Sequence, residues 1–154
     1  MTTLCCDVLT ALQGKTLVTA ESLTGGGIGA ALTSVSGSSA VYKGGIISYT
    51  NAVKNQILGV PVEILDRYGA VSAPVAKAMA EGVRKLLEAD VSVSVTGLAG
   101  PGGDDYGNPV GTVFIGYSDS AVTEVKQFLF SGDRESIRNQ TAEAALKLIL
   151  KHQS

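Results

Sequence analysis

The sequence predicts a three-layer α/β/α domain with a mixed, mostly parallel sheet, and three observations carry that reading. Short β-rich runs at Thr16 to Ala20 and Val41 to Tyr49 each empty into a helix start. A third run, Val91 to Thr96, follows a long amphipathic helix and opens into a glycine-rich loop. Two adjacent strand candidates and a closing helix complete the chain.

Residues 3 to 13 place Leu4, Val8 and Leu12 four apart and stop at Gly14, the pattern of an amphipathic helix. The adjacent Cys5 and Cys6 suit neither an ordinary disulfide nor a metal clamp and read as helix packing residues. The strand Thr16 to Ala20 leads into Glu21-Ser22-Leu23-Thr24-Gly25-Gly26-Gly27, after which Ile28, Leu32 and Val35 recur at helical spacing. Val41 to Tyr49 is the next strand, and Asn51 reads as the N-cap of a helix over Ala52 to Leu58 that Gly59 and Pro61 end. A small helix is expected over residues 62 to 68. Ser72 caps a long one from Pro74 to about Glu88, with Val75, Met79, Val83 and Leu86 on one face. Val91 to Thr96 alternates as a strand, and the loop from Gly97 to Pro109 holds five glycines and two prolines, a composition and length that mark functional loops. Val110 to Tyr117 and Val122 to Phe130 are strands joined by a turn at Asp119-Ser120, and Asp133 caps a helix from about Arg134 to Leu150. No internal repeat, linker or second domain is visible, so residues 1–154 are expected to fold as one domain.

Composition excludes several classes of function. With 154 residues, 45% of them hydrophobic and 17% charged, the chain can bury a substantial core. Glycine, 19 of 154 residues, is well above the usual ~7%, so much backbone must pack closely or turn tightly. The net charge is −2 and the 12 Lys and Arg are scattered, which leaves no electrostatic footprint for nucleic acid. Apolar stretches break well short of the ~20 residues that span a bilayer, and Met1-Thr2-Thr3 lacks a basic export region. A cytoplasmic protein without membrane association is therefore expected. The single histidine, His152, stands third from the end in a tail expected to fray, which excludes a Ser-His-Asp triad and a His-rich metal site. A hydrolase built on this chain needs another base.

Two nucleotide motifs fail on inspection. Gly14-Lys15-Thr16 imitates the end of a phosphate-binding Walker loop, but the first glycine falls at Leu9 and the triplet precedes a strand. Gly25, Gly27 and Ala30 satisfy G-x-G-x-x-A, yet no Asp or Glu occurs between Glu21 and Glu63 to bind a ribose.

The strand exits at Ser22, Tyr49 and Thr96 are where an α/β sheet binds ligands. At the first, Ser22 and Thr24 stand on a tight turn, and the amides from Thr24 to Gly26 are expected to be free to hold a phosphate or an oxyanion. The alternative is that Gly25 to Gly27 merely let strand and helix pack. At the second, Asn51 as N-cap places Lys54 in the first helical turn, where the dipole opposes its charge and lowers its pKa, further so if it is buried. A neutral lysine can take a proton from a serine hydroxyl, with Tyr49 to relay or orient it; a solvated surface lysine is the alternative. At the third, Thr96, Gly97, Gly100, Gly102 and Gly103 outline an anion-binding nest. Asp104 and Asp105 read as solvated loop charge and not as a metal site. Arg134 and Arg138, four apart on the last helix, can bind a phosphate or carboxylate, or pair with Asp133 and Glu135.

With these motifs in hand, the chain resembles the CinA C-terminal family, the competence- and damage-inducible domain whose characterised members are nicotinamide mononucleotide deamidases. The resemblance runs from about residue 3 to residue 150. It rests on Ala20-Glu21-Ser22-Leu23-Thr24-Gly25-Gly26, Gly37-Ser38-Ser39-Ala40, Tyr49-Thr50-Asn51-Ala52-Val53-Lys54, Gly69-Ala70-Val71-Ser72, Thr96 to Gly103 with Pro109-Val110-Gly111-Thr112, and Gly132-Asp133-Arg134. It implies a Ser22 and Lys54 catalytic pair assisted by Tyr49, and hydrolysis of the carboxamide of nicotinamide mononucleotide without a metal or other cofactor. Leu23 stands where many members carry cysteine, and many relatives carry a further N-terminal domain resembling molybdopterin-binding proteins. The expected partner is a small pyridine nucleotide, its phosphate near residues 97 to 103 or near Arg134 and Arg138; a homodimer is compatible with the composition. The rival functions are a non-catalytic nucleotide-binding adaptor in competence or the DNA-damage response, and an amidase or esterase for another substrate.

Overall fold

In the computed structural model, which describes residues 1–154, five strands form one sheet: β1 (Leu17–Glu21), β2 (Tyr42–Ile47), β3 (Val91–Gly97), β4 (Thr112–Ser118) and β5 (Thr123–Leu129). Their order is β2-β1-β3-β4-β5. The central β1 pairs parallel with β2 and β3, whereas β3–β4 and β4–β5 are antiparallel, so β4 alone reverses direction. The mixed sheet expected from the sequence is the one observed.

Six helices sandwich it: α1 (Thr2–Ala11), α2 (Gly27–Thr33), α3 (Asn51–Gln56), α4 (Val62–Tyr68), α5 (Ala73–Leu86) and α6 (Arg134–Gln153). Period-two alternation in β1 sends Leu17 to the α1, α2 and α6 side and Val18 and Ala20 to the α4 and α5 side. Strand β3 alternates too, but neither face is wet. Val91, Val93 and Val95 join the first core, while Ser92 and Ser94 are fully buried and donate to the Ala80 and Ala76 carbonyls of α5, each at 2.6 Å. Small hydroxyl side chains thus let α5 lie close against the sheet.

The chain runs from β1 to β2 on one side and then returns across β1 to β3 on the other. The carboxyl ends of β1 and β3 therefore flank a topological switch point, the place where such sheets open a crevice.

Several local expectations shift. Thr50, not Asn51, caps α3, its hydroxyl accepting from the Val53 amide at 3.4 Å. Lys54 consequently sits in the last turn of a six-residue helix and not in the first. Cys5 is buried as expected, but Cys6 is exposed, as is Leu86 on α5. Ser72 occupies the cap position of α5, yet its hydroxyl donates to the Gly69 carbonyl. Asp133 caps α6 as expected, and that helix continues through His152 instead of fraying. The imidazole stacks on Tyr117 with ring centroids 3.9 Å apart and meets Glu124, far from the strand exits that flank the crevice.

Candidate active site

Ser22 follows the last residue of β1, and its amide still donates to the Val95 carbonyl at 3.1 Å, which keeps it in register with β3. The chain then turns sharply. The Gly25 amide closes the turn onto the Ser22 carbonyl at 3.0 Å, and Gly25 and Gly26 take positive φ values of 58° and 97° that favour glycine. Ser22 is thereby held at a strand-to-helix bend with its hydroxyl facing the crevice.

Lys54 comes to it from α3. Its side chain is only 1% exposed, and Nζ lies 3.1 Å from Ser22 Oγ, 2.7 Å from the Ser48 carbonyl and 3.4 Å from the Tyr49 carbonyl. None of the chain's ion pairs involves it. Burial without a counter-charge lowers its pKa to about 8. The expected direction holds, with desolvation as its cause; the helix dipole does not supply it, because Lys54 is not in the first turn. In the neutral amine, two N–H bonds can point at the carbonyls of residues 48 and 49, which leaves the lone pair toward the serine.

These two groups line a cleft of about 600 Å³ together with Tyr49, Asn51, Thr96, Gly97, Gly100, Gly102, Gly103 and Arg134, a size ordinary for small-molecule sites of ~300–1,000 Å³. Arg134 donates to the Gly100 carbonyl at 2.6 Å and to the Tyr49 hydroxyl at 3.2 Å, and so spans the two loops that wall the cleft. The Tyr49 hydroxyl makes no hydrogen bond to Ser22 or Lys54, so the expected relay has no hydrogen-bonded path in this conformation. The Thr96 hydroxyl donates to the Ala70 carbonyl at 2.8 Å.

Thr24, Gly25, Gly26 and Arg138 lie outside the cleft. Behind the turn lies Glu21. This carboxylate is 2% exposed; its Oε1 accepts from the Thr24 hydroxyl at 2.7 Å and the Ile28 amide at 2.9 Å, and its Oε2 from the Gly29 amide at 3.0 Å and the Thr19 hydroxyl at 3.2 Å. The amino end of α2, expected to be open to a substrate anion, is thus occupied from within the fold. Arg138 backs the same turn, donating to the Leu23 carbonyl at 2.9 Å and the Thr24 carbonyl at 3.1 Å. Neither expected alternative for Arg138, ligand or surface ion pair, describes that contact. Because carbonyl and amide of one trans peptide point opposite ways, the Thr24 N–H points away from α6. It and the Leu23 N–H donate to no protein acceptor.

Sequence reasoning missed Glu21 and the loop anchors. Asp104 accepts from the Tyr106 and Asn108 amides, both at 3.1 Å, and Tyr106 OH donates to the Asp66 carbonyl at 2.7 Å. The 97–109 loop is therefore tied to α4. No three His, Cys, Asp or Glu side chains converge on a common point, and no helix is long and apolar enough to cross a membrane.

The profile of the CinA C-terminal domain matches residues 2–153. The chain belongs to the CinA C-terminal domain family. Among its relatives, the CinA-like protein of Parasynechococcus marenigrum is 51% identical over 143 residues, covering 90% of this chain and 34% of that protein. The CinA-like protein of Endomicrobium trichonymphae is 48% identical over 143 residues, 90% of this chain and 33% of its own. This CinA C-terminal domain thus spans about one third of the length of the curated relatives it matches. Among solved structures, the competence or damage-inducible protein from Enterobacter asburiae superposes with a TM-score of 0.97 at 34% identity, covering 99% of this chain and 98% of that one. The competence/damage inducible protein CihA from Agrobacterium tumefaciens gives 0.96 at 36% identity, with 99% and 95% covered.

Proposed function

We propose that this CinA C-terminal domain is an amidohydrolase that removes ammonia from the carboxamide of nicotinamide mononucleotide to give nicotinic acid mononucleotide. The observation that carries the reading is the buried Lys54 amine 3.1 Å from Ser22 Oγ at the switch point of the sheet. An amine whose pKa is brought down to about 8 is uncharged often enough near neutral pH to act as a base.

Neutral Lys54 takes the Ser22 proton while Oγ attacks the amide carbon. The oxyanion that forms accepts from the unpaired amide of Leu23, the residue after the nucleophile, which lines the cleft. The C–N bond then breaks as the protonated lysine returns the proton to the departing nitrogen, releasing ammonia and leaving an ester on Ser22. Lys54 next takes a proton from water, hydroxide attacks the ester, and Ser22 recovers its proton as the pyridine carboxylate leaves. The substrate phosphate binds toward Arg134 and the glycine amides at 102 and 103, and this remote contact orients the carboxamide.

Ammonia release from the mononucleotide by the purified domain, measured with a coupled dehydrogenase, tests the proposal. Turnover lost in Ser22→Ala and Lys54→Met with the fold intact supports it. Binding without ammonia release in the wild type would return the domain to the non-catalytic nucleotide-binding reading.

A further inference from the structure

Tyr49 stands in the cleft beside the serine and lysine, but its phenol is not turned toward them. Its side chain is 59% exposed, and its hydroxyl accepts from Arg134 at 3.2 Å. Only its backbone carbonyl touches the lysine amine, at 3.4 Å. The ring therefore projects from a point next to the base and ends at a guanidinium. Along this one side chain the order is amine, aromatic ring, cation. A nicotinamide mononucleotide laid beside it has the matching order: carboxamide, cationic pyridinium, ribose phosphate.

No cation and no other aromatic ring of the chain lies over the Tyr49 ring, and more than half of the residue is open to the cleft and solvent. Arg134 meets Tyr49 at the hydroxyl and not over the ring, and the one cation that lies over an aromatic ring in this chain is Arg67, over Tyr68. Tyr106, the other aromatic lining the cleft, is committed elsewhere: its hydroxyl donates to the Asp66 carbonyl, and its ring lies so close to Gly69 that a Cβ there would come within 2.6 Å. An aromatic face attracts a cation through its quadrupole, more strongly as water is excluded.

From this placement we infer that Tyr49 is a binding platform for a positively charged pyridinium ring, held at its far end by Arg134, and selects oxidised over reduced nicotinamide nucleotides. The inference rests on the deamidase reading for the identity of the ligand, but not on the chemistry of the serine and lysine. It replaces the proton relay as the role of this tyrosine.

The experiment measures dissociation constants of oxidised and reduced nicotinamide mononucleotide by calorimetry, using Ser22→Ala protein so that nothing turns over. The reduced ring is neutral. Ser22→Ala protein should bind the oxidised form at least about tenfold more tightly. With Tyr49→Leu added, the preference should collapse to about twofold; with Tyr49→Phe added, most of it should persist, because the ring face remains. No preference in Ser22→Ala, or a preference that survives Tyr49→Leu, overturns the inference, as does failure to bind either form. In parallel, Tyr49→Phe in the otherwise unaltered protein should lower kcat by less than tenfold, whereas loss of a proton relay typically costs 10²–10⁴-fold. A kcat loss above a hundredfold would also overturn it. Should wild-type protein release no ammonia yet show the preference, the deamidase reading falls and the platform stands; ammonia release without the preference gives the reverse.

Discussion

Lys54 Nζ and Ser22 Oγ, 32 residues apart in the chain, meet at 3.1 Å in a buried corner where no acidic side chain pairs with the amine. In the proposed mechanism the protonated lysine is the inactive form, and burial lowers its pKa to about 8. The rate of deamidation, as kcat/KM, should therefore rise about tenfold per pH unit below 8 and level off above it. Lys54→Arg should abolish turnover at every pH, since a guanidinium does not deprotonate. A pH profile that is flat from 6 to 9 would remove the lysine from the role of base.

The same shift has a consequence for stability. The unfolded chain holds the Lys54 proton up to its ordinary value of 10.5, whereas the folded chain releases it near 8. Between those limits the unfolded state binds more protons, so stability rises with pH across the window, and below 8 the buried charge costs about 3 kcal/mol relative to a neutral side chain. Lys54→Met should be most stable relative to wild type at pH 7, and its advantage should shrink steadily toward pH 10. Urea unfolding at both pH values reads the difference.

Glu21 is the sole carboxylate partner of two α2 amides and two threonine hydroxyls. Glu21→Ala leaves the Ile28 and Gly29 amides without their acceptor and opens a cavity beneath the Ser22 turn. A loss of about 3 kcal/mol or more is expected from those unpaired groups. Equilibrium urea denaturation checks it; a change below about 1 kcal/mol would show that water replaces the carboxylate freely.

How much of this was legible in the sequence depends on the range of the contact. The strand-turn-helix units around Ser22 and Lys54 are local, and turn residues mark them. The cap of α3 slips by one residue because Thr50 and Asn51 are both good caps, and only the observed backbone separates them. The valine and serine alternation of β3 marks a strand but not what its serines meet, which is the Ala76 and Ala80 carbonyls of α5, 12 or more residues away. His152 stays helical because it stacks on Tyr117, 35 positions earlier, which nothing local announces. Glu21 was hidden for another reason. A carboxylate ending a strand before a glycine turn becomes a helix anchor only once the path of α2 is known.

Arg134 and Arg138 sit one turn apart on α6 and should separate in kinetics. Arg134 lines the cleft and can reach a phosphate, whereas Arg138 holds the Leu23 and Thr24 carbonyls and through them the turn that follows Ser22. Arg134→Ala should raise KM about tenfold or more with a smaller effect on kcat, the signature of lost substrate binding. Arg138→Ala should act mainly on kcat by loosening the turn that carries the Leu23 amide, the proposed oxyanion donor. Equal effects on KM from both variants would place both arginines at the substrate.

Gly82 lies inside α5, where replacement by alanine ordinarily stabilises a helix by about 1 kcal/mol. Here a Cβ would overlap the Leu58 carbonyl oxygen, a backbone atom in the segment that follows α3. The oxygen cannot swing aside as a flexible side chain would, so either α5 or the 57–60 segment must move. Overpacking of this kind costs about 1–3 kcal/mol, and with the contact so close the upper part of that range applies and outweighs the gain in propensity. Gly82→Ala should therefore lower Tm by several degrees. It should also lower the proposed activity, because Val60 donates to the Lys54 carbonyl at 3.1 Å and any shift of that segment moves Lys54. An alanine variant as stable as wild type would mean that α5 slides on its bed of serines without resistance.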